Sequence, residues 1–243
     1  MVSKNQIKAV AALHTKKNRQ QSRHFIAEGA KVIGELLDAG FRLENLFVTE
    51  ALFPKVDPSK KITVTEAELG RMSALSTANN CLAVFEIPPQ KPIEQLGLIV
   101  ALDDVRDPGN LGTIVRLCDW FGVKQIVCSM ETAELYNPKV VQATMGSLAR
   151  VNVSYIDLAA FLSETELPVF GTFMDGDNIY SETLPKNGIV VLGNEANGIS
   201  SEVEKAVNRR ISIPRFGNLQ KTESLNVATA AAIVLSEFRR FEV

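Results

Sequence analysis

At 243 residues, 46% of them hydrophobic and 22% charged, the chain has the balance of an ordinary globular protein with room for one large or two modest domains. Its 15 glycines and 10 prolines are close to average usage, which excludes collagen-like and low-complexity architectures, and no apolar run reaches the roughly 20 residues of a membrane helix. A formal charge of −2 conceals an asymmetry: residues 1–31 carry Lys4, Lys8, Lys16, Lys17, Arg19, Arg23 and Lys31 against Glu28 alone, so the remainder is acidic.

In chain order, Ile7–Leu13 reads as a helix and Phe25-Ile26 as a short strand. Ala30–Ala39 is a helix carrying Val32, Ile33, Leu36 and Leu37 on one face and stopped by Gly40. Leu46–Thr49, Ile62–Val64 and Cys81–Ile87 are strands, with a short helix Glu66–Met72 between the last two. Pro88-Pro89-Gln90-Lys91-Pro92 interrupts every regular element and is placed as a linker, dividing a front domain, 1–90, from a second, 95–243. Beyond it strands and helices alternate: Leu98–Leu102, Leu111–Phe121, Gln125–Cys128, Pro138–Leu148, Val151–Tyr155, Leu158–Ser163, Val169–Phe173, Ile189–Leu192, Ser201–Val207, Ile211–Ile213 and Ser224–Phe238. This order predicts an α/β fold with a mainly parallel sheet, whose ligands sit beyond the carboxyl ends of the strands.

The basic front strip is expected to grip nucleic-acid phosphates through Lys16, Lys17, Arg19 and Arg23; a solvated helix face is the alternative. Cys81, Cys118 and Cys128 include no CxxC pair, so neither disulfides nor a zinc site are expected, and no metal is assigned. The amino terminus lacks a secretory pattern, and a cytoplasmic location is the expectation.

Three strand-end loops are unusually polar. Asp103–Gly112 enters a helix that Asn110 could cap, with Arg116 one to two turns in. Gly193–Ser200 has the outline of a phosphate-binding loop, but Ile199 stands where that loop needs lysine; Ser201 and Glu204 could form a capping box instead. Ile213–Ala228 leads into a helix of small residues suited to close packing, with Ser224 or a neighbour as its cap.

Taken together, Asp-x-x-x-Asp-Pro-Gly-Asn-x-Gly-x-x-x-Arg from Asp103, then Val191–Gly198, then Ile213-Pro214 with Glu223–Ala228, resemble the three motifs of the SpoU-type (TrmH-like) RNA ribose 2′-O-methyltransferases in order. The resemblance covers about residues 95–243, and Phe25–Gly29 with Leu46–Thr49 is similar to the ribosomal-protein-like RNA-binding domain that many members carry in front. It implies a trefoil-knotted sheet, S-adenosylmethionine as cofactor, a homodimer through the carboxy-terminal domain, and structured tRNA or rRNA as substrate. Carried over by position, Thr172, Leu192, Gly193, Ile213, Pro214 and Leu225 would hold the cofactor, and Asn110, Arg116, Glu195, Ser224 and Asn226 would form the catalytic group. Two departures from the pattern are a longer loop at 215–223 and Ser76–Cys81 in place of a Pro-Gln-Gly type turn.

A ribose hydroxyl must lose its proton as it attacks a sulfonium methyl, yet the only histidines, His14 and His24, lie in the front segment. Arg116 is therefore expected to position the adjoining phosphate and stabilise the alkoxide, with direct proton acceptance the family's alternative. Glu195 would orient Arg116 or Asn110, while Ser224 and Asn226 would fix the nucleotide. Cys118 and Cys128 read as core residues, and no Asn/Asp-Pro-Pro-aromatic run suits methylation of a base amine. An RNA-binding module without turnover, and a nucleotide hydrolase using the 193–200 loop, are the competing classes.

Overall fold

A computed structural model describes residues 2–218 and 224–240. It divides into two compact units: Met1–Pro89 with Glu134–Ala149, and Gln90–Ala133 with Arg150–Val243. The second unit is thus not contiguous after residue 95, because Glu134–Ala149 packs with the front of the chain.

The front unit contains α1 (Lys4–Ala12), α2 (Lys16–Ser22), β1 (His24–Glu28), α3 (Ala30–Asp38), β2 (Leu43–Val48), β3 (Lys61–Thr63), α4 (Glu66–Gly70) and β4 (Cys81–Glu86). Its strands form one sheet in the order β1-β4-β2-β3, antiparallel except where β2 meets β3. α1 starts where the sequence allows two orphan N–H groups to be satisfied at once: Ser3 Oγ accepts from Gln6 N, and the Gln6 side chain accepts from Ser3 N. Helix α2 was not foreseen from the pattern KKNRQQS, which has no apolar stripe; it packs instead through Arg19. One sheet face buries Ile26, Phe47, Leu82 and Val84 against Ile7, Val10 and Leu13 of the α1 segment. An aromatic group occupies the front unit as well, Phe25 lying 5.8 Å from Phe85 and 4.6 Å from Tyr136 between ring centroids. Tyr136 arrives with the inserted segment, whose helix α6 (Pro138–Thr144) packs on β1. Gly146, just past the end of α6, adopts φ +98°, and a Cβ there would meet Cβ and Cγ of Glu35 at 2.7 Å.

The second unit contains β5 (Leu98–Leu102), α5 (Pro108–Trp120), β6 (Gln125–Cys128), β7 (Asn152–Tyr155), α7 (Leu158–Glu164), β8 (Val169–Asn178), β9 (Gly188–Leu192), α8 (Ser201–Glu204), β10 (Arg209–Ser212) and α9 (Val227–Arg239). Its six strands are all parallel, ordered β10-β8-β9-β5-β6-β7. β5, β6 and β9 are buried along their whole length, as expected of strands covered on both faces. Ile99, Ala101, Ile189 and Val191 pack towards α7 and α8, and α5 packs against α9. Strand β8 runs five residues past the expected end at Phe173. Its first residues pair with Arg209 and Arg210, the register then jumps, and Asp177 and Asn178 pair with Ile211 and Ser212. Gly176 permits this, since a Cβ there would lie 2.6 Å from the Ile211 carbonyl carbon.

Candidate active site

The chain leaves β5 and then β9 at the same end of two adjacent parallel strands, on either side of the point where strand order turns back. That is where ligands of open parallel sheets bind. Asp103, buried at the end of β5, fastens the two loops: its N–H donates to the Leu192 carbonyl at 2.9 Å, and its Oδ2 accepts from Ser200 N at 2.7 Å. Asn194 adds a second tie, donating from Nδ2 to the Asp104 carbonyl at 2.7 Å while its Oδ1 accepts from Ala196 N and Asn197 N. The 193–198 loop folds back on itself through paired backbone bonds between Asn194 and Gly198, 2.9 Å each way. Gly193 is required for that closure, because a Cβ would sit 2.3 Å from the Gly198 carbonyl carbon. Asp103, Asp104 and Asn194 lie in the loops and motifs read from sequence but were given no role there. The signal was present in Asp103, an acid directly continuing a wholly apolar strand, the same feature that marks Glu195.

Helix α5 begins earlier than expected, with Pro108 in its first turn and Asp107 as its cap, Asp107 Oδ1 accepting from Asn110 N at 2.8 Å. Asn110 is therefore not the cap, and its side chain is free to leave the helix. It donates from Nδ2 to Glu195 Oε1 at 2.6 Å, and its Oδ1 accepts from Asn226 Nδ2 at 2.9 Å. Asn226 in turn caps α9, its Oδ1 accepting from Ala228 N and Thr229 N. The cap is thus Asn226, with Ser224 two residues ahead of it. Ser200, and not Ser201, occupies the cap position of α8, and the expected Ser201–Glu204 capping box does not form; Glu204 pairs with Arg210 instead.

These bonds join three loops into one polar relay. A backbone-anchored cap fixes the orientation of Asn226, Asn226 fixes Asn110, and Asn110 presents N–H to Glu195. Arg116 is not part of it. Six residues beyond Asn110, it stands about 9 Å along the axis and on another side of the helix. It is exposed, shares a stripe with Gly109, Thr113 and Trp120, and makes no hydrogen bond or ion pair among the described residues. Glu195 orients Asn110 and not Arg116.

Of the residues expected to hold a cofactor, Leu192-Gly193 and Ile213-Pro214 lie at the carboxyl ends of β9 and β10, and Thr172 lies within β8 between them. Thr172 follows the part of β8 that pairs with β9 and donates from Oγ1 to the Val191 carbonyl at 3.0 Å; Leu192-Gly193 ends β9; Ile213-Pro214 follows β10. Leu225 is 46% exposed beside Asn226, and Phe216 is 81% exposed. Across Phe173, Arg210 lays its guanidinium carbon 3.6 Å from the ring centroid and pairs with Asp175 at 2.6 Å. That ion pair and hydrogen bond hold the Asp175 carboxyl below the usual range. Residues 219–223, the far half of the long loop, fall outside the described residues.

In the front unit, Lys16, Lys17 and Arg23 are exposed, and Arg23 donates to the carbonyls of Ile87 and Pro88. Arg19 contradicts the expectation of phosphate contact. It is 1% exposed, donates to the Leu13 carbonyl at 2.8 Å and forms a paired contact with the Glu134 carboxylate, so its charge is spent inside the unit.

Residues 97–236 match the family model described as the SpoU rRNA Methylase family. The chain belongs to the SpoU methylase family. Residues 4–83 of this SpoU chain further match the MRM3-like substrate binding domain. It is 28% identical to the 23S rRNA (guanosine(2553)-2′-O)-methyltransferase RlmP of Bacillus subtilis, over 98% of this chain and 97% of that one. It also superposes on a putative RNA methyltransferase of the TrmH family from Porphyromonas gingivalis with TM-score 0.90 and 38% identity over 99% of both chains. An AdoMet-bound rRNA methyltransferase from Sinorhizobium meliloti gives TM-score 0.87 and 28% identity over 100% of this chain and 98% of that one.

Proposed function

We propose that this SpoU chain transfers a methyl group from S-adenosylmethionine to a ribose 2′-hydroxyl of structured RNA. Ribosomal RNA is favoured over tRNA by the name of the full-length Bacillus relative. The observation that carries the reading is the relay Glu195–Asn110–Asn226, which converges from three loops onto the switch point of a parallel sheet. The strand ends at Leu192-Gly193 and Ile213-Pro214, with Thr172 of β8 beside them, suit S-adenosylmethionine: apolar side chains and closely folded backbone match an adenosine and a thioether-bearing chain. When bound, that cofactor supplies an electrophilic methyl group. The chain's own residues then position the acceptor. Asn110 and Asn226, locked in one orientation, offer their remaining N–H groups to a nucleotide, and Glu195 retains an oxygen to receive or orient the hydroxyl. Arg116, permanently cationic and exposed, grips the phosphate beside the target ribose and stabilises the developing alkoxide. Ser224, exposed ahead of the cap, contacts the same nucleotide.

Three further parts of this reading are ours. The sheet carries a knotted cofactor loop. The front unit, through Lys16, Lys17 and Arg23, supplies RNA affinity. The enzyme works in the cytoplasm as a homodimer, with the 84% exposed Trp120 at the end of α5 covered by a second copy and Arg116 left open to RNA. Calorimetric titration with S-adenosylmethionine tests the cofactor directly: saturable binding is expected, and its absence at millimolar cofactor excludes the enzyme. Retained RNA affinity in that case would favour the binding-module reading.

A further inference from the structure

The front sheet gathers ligand-type side chains that lie far apart in sequence. His24 opens β1 and sits opposite Glu86, the last residue of β4, while Glu44 occupies the irregularity in β2 between Leu43 and Asn45, on the other side of β4. One donor atom from each of His24, Glu44 and Glu86 lies within 4.8 Å of the others. The imidazole is already oriented. Its Nδ1 is 2.6 Å from the Ser22 carbonyl, which can only accept, so Nδ1 carries a proton and Nε2 is the nitrogen that faces the two carboxylates as a candidate ligand. That Nε2 is buried and has no hydrogen-bond partner. A buried, unpartnered Nε2 beside two carboxylates calls for a positive charge between them, which a metal ion supplies together with a bond to each donor. A backbone carbonyl holding the far ring nitrogen is also the usual support of a metal-binding histidine. Arg42 pairs with Glu86 Oε1 at 3.2 Å from a largely solvent-exposed position, leaving the second oxygen of that carboxylate available.

We propose that His24, Glu44 and Glu86 bind a divalent transition-metal cation, zinc by the chemistry of one imidazole and two carboxylates, with solvent completing the coordination. Donors around tetrahedral zinc stand about 3.4 Å apart, so a small rotation of the two glutamates at the sheet rim closes the site. The ion ties together the ends of β1, β2 and β4, next to the Ile87-Pro88 carbonyls that Arg23 holds. The three donors belong to the front unit, and the test does not depend on methyl transfer.

The test uses the untagged, chelator-treated full-length chain titrated with zinc chloride. Uptake of one ion per chain at submillimolar zinc is expected, weakened at least about tenfold by His24→Ala and by Glu86→Gln. Since the chain has 2 histidines, the imidazole nitrogen spectrum of the unmutated protein gives a second readout. Zinc should move the Nε2 resonance of His24 and leave His14, whose Nε2 lies 2.8 Å from the Met72 carbonyl, in place. No uptake, uptake indifferent to both substitutions, or an unmoved His24 resonance overturns the proposal.

Discussion

Asn110 shows how a single side chain acquires a role from its neighbours. Because Asp107 takes over the cap, Asn110 turns outward and links Glu195 to Asn226. Asn110→Ala should lower single-turnover methyl transfer by about a hundredfold while leaving S-adenosylmethionine affinity nearly unchanged, the pattern of lost positioning. Equal losses in both would assign Asn110 to cofactor binding instead. Arg116→Lys and Arg116→Ala separate charge from shape at the exposed guanidinium. Alanine should abolish measurable transfer and lysine restore a minor part of it, since an ammonium cannot reproduce a planar bidentate grip; near-normal turnover with lysine would contradict the positioning role. The polar identities at 110, 195 and 226 were legible in the sequence through the resemblance to the SpoU motifs, which carries those positions over. Of their partners, Asn110 was one of two expected for Glu195, while the bond from Asn226 to Asn110 was not foreseen: it depends on the cap at Asp107, which frees the Asn110 side chain.

At the scale of elements, a glycine and an ion pair decide how two segments sit. Gly193→Ala places a methyl group where the Gly198–Ile199 backbone already lies, so loop 193–198 must open. The expected outcome is a loss of about 1–3 kcal/mol in thermal or denaturant unfolding together with weakened cofactor binding. Arg19 and Glu134 join α2 to the inserted segment within the front unit. Arg19→Met alone should destabilise by about 3–5 kcal/mol, with a much smaller cost when Glu134→Leu is added, because the first change leaves a largely buried carboxylate unpaired and the second removes it. The βα alternation and both long strand runs were readable from apolar periodicity. Helix α2 and the attachment of Glu134–Ala149 were not, since the first rests on one buried arginine and the second on Tyr136 meeting Phe25. Composition could place Arg19 in a basic strip but could not reveal that Glu134, far along the chain, neutralises it.

For the whole molecule, the three cysteines are unpaired and buried, and burial pushes the Cys81 thiol up to about 11 and those of Cys118 and Cys128 higher still. A raised thiol favours the folded state only while the unfolded thiol is neutral. The contribution of Cys81 is therefore present below pH 9 and is lost as pH climbs from there towards about 11. Thiol reagents at pH 8 should label the native chain slowly and the unfolded chain at every cysteine. Rapid native labelling of Cys118 or Cys128 would contradict the packing of the parallel sheet. Lys16→Glu with Lys17→Glu should weaken RNA binding and flatten its dependence on salt, and Arg19→Met should leave that slope unchanged, the reverse of what charge counting along the strip implies. The central claim, that three loops assemble one ribose-methylating site, is tested most directly by supplying methyl-labelled S-adenosylmethionine with ribosomal RNA and hydrolysing the product in alkali. A 2′-O-methyl group blocks cleavage of the adjoining phosphodiester, so the label should be recovered in alkali-resistant dinucleotides and should disappear with Asn110→Ala. Label recovered in mononucleotides as methylated bases, or transfer indifferent to Asn110, would contradict it.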